Sequence, residues 1–387
     1  MGPLDTTPLP SREPAPVTAK KNLMVIVGTR PEAIKLAQVV RAIDESSWAK
    51  SMLVLTGQHR DLVGPIVDYF GLQVATELNA MRAGQSLGAL TARILHDLDA
   101  LLEQTQPDAV IGQGDTVSVL AASLACFFRK IPFAHVEAGL RTGDPFLPFP
   151  EEMNRVLTSR MTHWHFAPTE GSKANLLAEG FAAESILVTG NTVIDALQAV
   201  LAWPAPQSMP LRAGRNHVLI TAHRRESHGD AMIRICSAIQ QLAKRYPGLD
   251  FIFPVHPNPA VRQATDAMLR GIKNIVLTEP CDYPVFCFLM QGARLILSDS
   301  GGVQEEAPAL GKPVLVLRDE TERPEGIDIG ANLLVGTDID RIVSSATLLL
   351  DDEAAYRKMA QAGSPYGDGK ASQRIVEAIR DSLLNLR

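Results

Sequence analysis

The sequence has little of what marks secreted, membrane-spanning or nucleic-acid-binding proteins. Its 387 residues include four cysteines, which form no Cys-x-x-Cys pair and no His/Cys spacing that would assemble a zinc site. No apolar run approaches the roughly 20 residues that a membrane helix needs. A net charge of -6 offers no basic surface to nucleic acid or to an anionic membrane. We therefore expect a cytoplasmic protein with reduced thiols, no metal, and neither nucleic acid nor membrane as a partner.

The glycine-rich fingerprint of dinucleotide-binding proteins, GxGxxG, is also missing. The stretch Gly112-Gln113-Gly114-Asp115 supplies only its first two glycines. We therefore expect no nicotinamide or flavin cofactor, and a dehydrogenase is disfavoured.

The sequence does contain a repeated alternation of short apolar runs with longer helical stretches, the pattern of parallel βαβ units. A chain of this length exceeds what one core usually supports, which predicts two domains. Candidate strands begin near Leu23, Met52, Ala109, Pro132, His163 and Ile186, and then near His217, Asp250, Asn274, Arg294, Pro313 and Asn332. Six strands and six strands predict an α/β fold of two Rossmann-like doubly wound domains.

Composition sets the expected domain limits. Residues 1–21 contain five prolines and no apolar core, which predicts a disordered leader. Residues 22–200 form the predicted N-terminal domain, and residues 201–370 form the C-terminal domain. A final helix is predicted at residues 371–387. Its apolar stripe of Ile375, Ile379 and Leu383 is expected to pack on one of the domains.

Polar clusters follow nearly every predicted strand. They fall at residues 28–32, 57–60, 114–116 and 135–141, and again at 223–227, 256–259 and 318–325. Open α/β sheets bind ligands beyond the carboxyl ends of their strands. The sequence therefore predicts two domains that face each other across a cleft holding the site.

Residues 298–306 read SDSGGVQEE directly after an apolar strand, which predicts a diphosphate site. Glycines at a strand-to-helix turn allow a ligand close to the backbone, and the first amides of the helix attract an anion. The carboxylates Glu305 and Glu306 are suited to accept hydrogen bonds from a ribose diol. The alternative is an ordinary Ser-Gly-Gly turn followed by exposed acids.

Nine motifs, in order, give the chain a resemblance to a known family. They are GTRPEAIK, GDT, HVEAGLRTGD, PFPEEMNR, GNTVIDAL, TAHRRES, PVHPNP, SDSGGVQEEAP and RDETERPE, and the likeness spans residues 23–387. Together they resemble the non-hydrolysing UDP-N-acetylglucosamine 2-epimerases. The resemblance implies the GT-B arrangement of two Rossmann-like domains, and interconversion of UDP-N-acetylglucosamine and UDP-N-acetylmannosamine without metal or nicotinamide. UDP and the UDP-sugar are then the expected ligands, and a homodimer the expected assembly.

Three acids match the catalytic carboxylates of that family: Asp115, Glu137 and Glu151. Each has a structural alternative. Asp115 and Glu151 suit helix starts, and Glu137 gains nothing at a strand end unless Arg141 or a similar partner neutralises it. Arg155 is either a helix pair of Glu151 or a residue that orients the acid and the substrate. Which acid takes the proton stays open.

A second set of residues matches the substrate-binding positions, and His223 among them is also a catalytic candidate. The set comprises Arg30, Lys35, Arg155, His223, Ser300, Gly301, Gly302, Glu306 and Arg323. Surface exposure is the commoner fate of an isolated Arg or Lys, and His223 has the alternative of a core histidine bonded to a carbonyl.

Three other functions remain open: a hydrolysing 2-epimerase, a GT-B glycosyltransferase and a non-catalytic UDP-sugar sensor. One departure from the family concerns a second, activating substrate site. Asp61 follows Gln58-His59-Arg60, and Gly84 precedes Gln85, where some members have Gln and Arg. We therefore expect that the activating site is lost unless Arg82 substitutes.

Overall fold

The structure is a computed structural model that describes residues 20–224, 227 and 229–385. Residues 1–19 of the predicted leader lie outside the described residues, and the first strand already begins at Lys21.

The first sheet is built from β1 (Lys21–Val27), β2 (Ala49–Leu55), β3 (Val74–Glu77), β4 (Ala109–Gln113), β5 (Phe133–Val136), β6 (Trp164–Ala167) and β7 (Ile186–Val188). The strands are parallel, in the order β3-β2-β1-β4-β5-β6-β7. The sheet has one strand more than predicted. The missed strand, β3, is a four-residue edge strand with no buried residue, so it carries no apolar signal.

Six helices connect these strands and a seventh, α7, follows β7: α1 (Arg30–Glu45), α2 (Arg60–Phe70), α3 (Leu87–Thr105), α4 (Val117–Arg129), α5 (Glu151–Met161), α6 (Glu170–Ala178) and α7 (Thr192–Leu201), with a 3-10 turn at Ala183–Ser185 before β7.

The second sheet contains β8 (His217–Thr221), β9 (Asp250–Pro254), β10 (Ile275–Thr278), β11 (Ala293–Ser298), β12 (Val314–Val316) and β13 (Asn332–Leu334). Its parallel order, β10-β9-β8-β11-β12-β13, repeats that of the first sheet. Its helices are α8 (Asp230–Arg245), α9 (Pro259–Leu269), α10 (Tyr283–Gly292), α11 (Gly301–Ala309), α12 (Pro324–Asp328), α13 (Ile339–Asp351) and α14 (Glu353–Ala360). The two doubly wound sheets confirm the predicted α/β fold class.

Burial explains why the central strands are apolar. From Leu23 to Val27, no side chain of β1 is more than 2% exposed, because helices cover both faces of the sheet. Polar residues are therefore displaced to the ends of the strands. At the end of β1, the Glu32 carboxylate accepts the amides of Gly28 (2.5 Å) and Thr29 (3.1 Å), which fixes the turn that starts α1.

The last helix, α15 (Ala371–Asn385), packs against α1 and α7 of the first sheet. Asp195 of α7 accepts the first amides of α15, from Ala371 (3.2 Å) and Ser372 (2.7 Å). We call β1–β7, α1–α7 and α15 the first half, and β8–β13 with α8–α14 the second half. The chain thus crosses to the second half after α7 and returns before α15.

Candidate functional site

Side chains beyond the carboxyl ends of the two sheets are in direct contact. Thr169, after β6, donates to the Glu325 carboxylate of α12 at 2.6 Å. The Lys35 ammonium of α1 lies 3.7 Å from Glu305 of α11. The carboxyl edges of both sheets therefore face each other, as the sequence predicts.

Glu137 occupies the centre of this contact. It follows β5 in a left-handed backbone conformation, with φ 65°, and its side chain is buried. The Lys35 ammonium lies 2.7 Å from both of its carboxylate oxygens. The side-chain amides of Gln113 and Asn191 also donate to it, that of Asn191 at 3.2 Å. Glu137 is therefore a buried carboxylate surrounded by donors.

These donors decide the charge of Glu137. Burial alone would raise its pKa, but the nearby Lys35 ammonium, with Arg323 and Asn191, lowers the pKa below its usual value of 4.5. Glu137 is thus ionised at neutral pH. The partner suggested from sequence, Arg141, instead pairs with Glu179 (2.5 Å), because it lies beyond the turn and points toward α6.

Asp115 follows β4 and pairs with Arg155 of α5, whose guanidinium donates to it at 2.6 Å. The helix-cap alternative for Asp115 is wrong, since Thr116 caps α4 by accepting the amide of Val119. The Arg155 guanidinium also lies 3.3 Å from Glu152. Arg155 thus pairs with Asp115 across the site and with Glu152 one turn earlier in α5, in place of the i,i+4 pair with Glu151.

Asp115 lies within electrostatic reach of the other two predicted acids, Glu137 and Glu151. Burial raises the pKa of Asp115 above its usual value; Arg155 lowers it, and the charges of Glu137 and Glu151 raise it. Glu151 is the first residue of α5. Asp115 and Glu137 therefore have pKa values shifted in opposite directions.

Glu305, suggested from sequence as a partner of the ribose, and Asn191, quoted only within a motif, complete this cluster. Glu305 of α11 is 1% exposed and accepts the Arg323 guanidinium at 2.7 Å. Asn191, after β7, donates to Glu305 at 3.1 Å as well as to Glu137. Their motifs were recognised, but 114 residues separate this pair along the chain, and no local pattern shows the contact.

The predicted diphosphate turn starts α11 as expected. Ser300 precedes the helix, and Gly301 is its first residue. A Cβ atom on Gly301 would lie 2.7 Å from the guanidinium carbon of Arg323, so glycine leaves the space that Arg323 occupies. Gly302 is the second residue of α11. The first amides of the helix have no partner within it, and they lie beside the positive charge of Arg323.

Glu306 lies one turn further along α11 and is buried. Its carboxylate accepts the Tyr283 hydroxyl at 2.7 Å, and burial raises its pKa to about 7. Near neutral pH, this carboxyl is therefore close to equal parts charged and neutral.

His223 is oriented by a buried acid, Asp299. One Asp299 oxygen accepts the amides of His223 (2.7 Å) and Arg224 (2.8 Å) and the Ser227 hydroxyl (2.8 Å). The other lies 3.4 Å from the His223 Nδ1, and the His223 ring stacks on His256 with centroids 5.4 Å apart. His223 therefore lies at the loop after β8, not in a core.

The cations assigned to the diphosphate differ in surroundings. Arg30 is the first residue of α1 and is half-buried. Lys35, by contrast, contacts the carboxylates Glu137 and Glu305. Lys35 thus balances the acids in this structure.

Among residues 20–224, 227 and 229–385, no group of three or more His, Cys, Asp or Glu side chains is placed to hold a metal ion. No helix in the same ranges is long and apolar enough to cross a membrane.

Comparison with known proteins agrees with this geometry. Residues 41–380 match the family described as UDP-N-acetylglucosamine 2-epimerase. The chain is 48% identical to the UDP-N-acetylglucosamine 2-epimerase of Yersinia pestis, over 94% of this chain and 100% of that protein. The crystal structure of the Neisseria meningitidis UDP-GlcNAc 2-epimerase bound to UDP-GlcNAc has a TM-score of 0.85 at 44% identity, over 92% of this chain and 99% of that one.

A more distant structure, Acinetobacter baumannii MurG, has a TM-score of 0.62 at 14% identity over 93% of this chain and 99% of that one, a likeness of fold alone. The two facing Rossmann-like sheets and these neighbours confirm the GT-B-like architecture. By sequence and by structure, the chain belongs to the UDP-N-acetylglucosamine 2-epimerase family.

Proposed function

We propose that this protein reversibly interconverts UDP-N-acetylglucosamine and UDP-N-acetylmannosamine without hydrolysing them. The observation that carries the proposal is a pair of carboxyls held in different ways: Glu137 contacts the Lys35 ammonium, Asp115 contacts the Arg155 guanidinium, and their pKa values shift in opposite directions. Inversion at a carbon needs a base on one face and a proton donor on the other, and paired carboxyls with separated pKa values supply both. Family membership, and the UDP-GlcNAc bound to the Neisseria protein, support the substrate.

The reaction is proposed to proceed by elimination and re-addition. A carboxylate takes the C2 proton, the C2–H electron pair forms a C1=C2 bond, and the C1–O bond breaks with its electrons on the UDP oxygen. A proton then returns to the opposite face of C2, and UDP adds again at C1. The intermediate is 2-acetamidoglucal with UDP still bound.

Roles follow from charge. Ionised Glu137 is assigned to proton removal, and Asp115, with its raised pKa, to proton delivery. Glu151, at the first residue of α5, is assigned to the sugar, and Arg155 holds Asp115 in position. In the reverse direction the two proton-transfer roles exchange.

UDP retention is assigned to groups from both halves. The diphosphate is placed at the start of α11, at Ser300, Gly301 and Gly302, where Arg323 adjoins, with the ribose on Glu306. Two basic side chains complete the pocket, Arg30 from the first half and His223 from the second. The reaction thus needs neither a metal nor a nicotinamide.

The test is turnover of UDP-N-acetylglucosamine in D2O with the purified protein. The proposal expects deuterium at C2 of both nucleotide sugars while free UDP stays a minor product. Stoichiometric UDP with free N-acetylmannosamine would show a hydrolysing 2-epimerase, and transfer to an added acceptor would show a glycosyltransferase. Asp108→Asn is the matched control, since this acid pairs with Lys21 far from the cluster, and it should keep full deuteration.

The proposed assembly is a homodimer in the cytoplasm. Support for the dimer is an exposed apolar surface on the packed pair α4 and α5, where Phe127 and Phe128 are each 62% exposed and Leu157 is 44% exposed. The four cysteines are free thiols, as a reducing compartment requires. Sedimentation of wild type and of Phe128→Ser tests the dimer; a monomeric wild type would refute it.

A further inference from the structure

The Asn191 side chain joins two carboxylates that belong to different halves of the molecule. Its Nδ2 atom donates to Glu137 of the first half at 3.2 Å and to Glu305 of the second half at 3.1 Å. Asn191 is 3% exposed, so water does not compete freely for these bonds. This one nitrogen therefore donates one hydrogen to a carboxylate of each half.

The orientation of this amide is fixed by a third bond. Its Oδ1 atom accepts the backbone amide of Val193 at 3.1 Å and caps α7. A backbone amide can only donate, so the oxygen must face Val193 and the NH2 group must face the carboxylates. The backbone amide of Asn191 in turn donates to the Tyr366 carbonyl at 2.7 Å, which holds the loop in place.

We propose that Asn191 is a positioning residue that ties the Glu137 carboxylate to Glu305, so that Glu137 is set for proton removal only when the two halves are closed. The inference rests on the proposed function of Glu137. Separation of the halves would carry Glu305 away and leave the amide held only by Glu137 and by its cap of α7. Closure on a substrate that touches both halves would then restore the base and the bond together.

Asparagine is suited to this task because it donates without charge. An aspartate at the same position would keep the helix cap but would bring a third negative charge between Glu137 and Glu305. A serine would also keep the cap, but its hydroxyl has one hydrogen and cannot donate to both Glu137 and Glu305. These two substitutions separate capping from the link between the halves.

The charge of Glu137 responds to more than Asn191, and a pH experiment must include its other neighbours. The titratable and charged groups that face Glu137 are Lys35 of α1, Asp115 after β4, His135 of β5, Glu305 of α11 and Arg323 before α12. Loss of a donor from a carboxylate disfavours its ionised form. Replacement of Asn191 should therefore raise the pKa of Glu137, and neutralisation of Glu305 should lower it.

The experiment compares Asn191→Ser, Asn191→Asp and Glu305→Gln with wild type. In Asn191→Ser we expect the acid limb of kcat/KM to move up by about one pH unit, the scale of a hydrogen bond to a charged group, with about a tenfold loss of kcat/KM below that limb. Asn191→Asp should move the limb further in the same direction. Glu305→Gln should move it downward.

A second readout does not depend on turnover. Carbon-13 resonances of labelled glutamate carboxyls, assigned with Glu137→Gln, report the titration of Glu137 directly in the UDP complex. Asp352→Ser is the control, because Asp352 caps α14 at the far end of α13 from the cleft and should change stability without moving the titration.

The outcomes separate the two proposals. Upward shifts in both Asn191 variants with a downward shift in Glu305→Gln support the inference, even where a variant turns over too slowly for a pH profile. An unchanged Glu137 titration in folded Asn191→Ser overturns it, whereas wild type without C2 deuteration overturns only the proposed function. If Asn191→Ser does not fold, Asn191→Thr takes its place, because threonine also caps a helix, and an unchanged Glu137 titration in that variant refutes the link.

Discussion

Replacement of Lys35 by methionine tests how Glu137 keeps its charge. The Lys35 ammonium lies 2.7 Å from Glu137, and the two side chains are 12% and 5% exposed. At an effective dielectric constant of about 20, unit charges at that distance attract by about 6 kcal/mol. Desolvation of the ammonium offsets part of this attraction. Loss of one partner from a buried pair typically costs about 3–5 kcal/mol, and the remaining donors on Glu137 place our expectation near the lower value.

The matched control is Lys21→Met. Lys21 and Asp108 show the same 2.7 Å separation, but their side chains are 35% and 27% exposed. Solvent screens such a pair, so its loss should cost no more than about 1 kcal/mol. The comparison holds the geometry constant and changes only the burial.

The pH dependence of the free energy of unfolding shows in which direction the pKa of Glu137 is shifted. In wild type the pKa of Glu137 lies below its unfolded value of 4.5, so its contribution to stability is present above that value and is lost as the pH falls through the folded pKa. In Lys35→Met the folded pKa rises above the unfolded one. The penalty is then full at high pH, and up to about 1.4 kcal/mol is recovered for each pH unit below the raised pKa.

Urea denaturation at pH 8, 7, 6 and 5 measures this difference for both variants. We expect a loss for Lys35→Met that is largest at pH 8 and shrinks toward pH 5, beside a small loss for Lys21→Met. A loss for Lys35→Met that equals the control and does not change with pH would refute the idea that Lys35 holds Glu137 ionised.

Three further predictions concern chemistry and regulation. Replacement of one acid at a time by its amide, at Asp115, Glu137 or Glu151, should lower kcat by roughly 10² or more. The affinity for UDP, measured by calorimetry, should stay within a few-fold of wild type. Near-normal turnover in all three variants would contradict the assignment. Asp299→Asn should weaken UDP binding about tenfold, because His223 loses its buried partner, and unchanged affinity would remove Asp299 from that role. Rates from purified UDP-N-acetylmannosamine should be hyperbolic, because exposed Asp61 repels a second diphosphate; a lag abolished by traces of UDP-N-acetylglucosamine would contradict this.

Most of the fold could be predicted because its determinants are local. Each predicted strand start falls at or within three residues of an observed strand, since buried parallel strands are nearly continuous apolar runs. β3 escaped prediction because its four residues lie at an edge and none is buried. Strand order was open to prediction only through the general behaviour of βαβ units.

The site could be predicted in its members but not in its pairings. Motifs at strand ends identify Asp115, Glu137 and Arg323, because parallel sheets collect such residues at one edge. Pairings depend on how two sheets meet, and nothing in the sequence measures that. Lys35 was thus assigned to phosphate although its contacts are carboxylates, and Asn191 was quoted in a motif without a role.

The return of α15 to the first half has a consequence for biosynthesis. The side chains of Ile375 and Ile379 are fully buried in the core that they share with α1 and α7. In topological terms the second half is an insertion in the first, and the first half lacks part of its own core until α15 leaves the ribosome. The amino-terminal sheet, although made first, therefore completes its core only after the inserted half has been made.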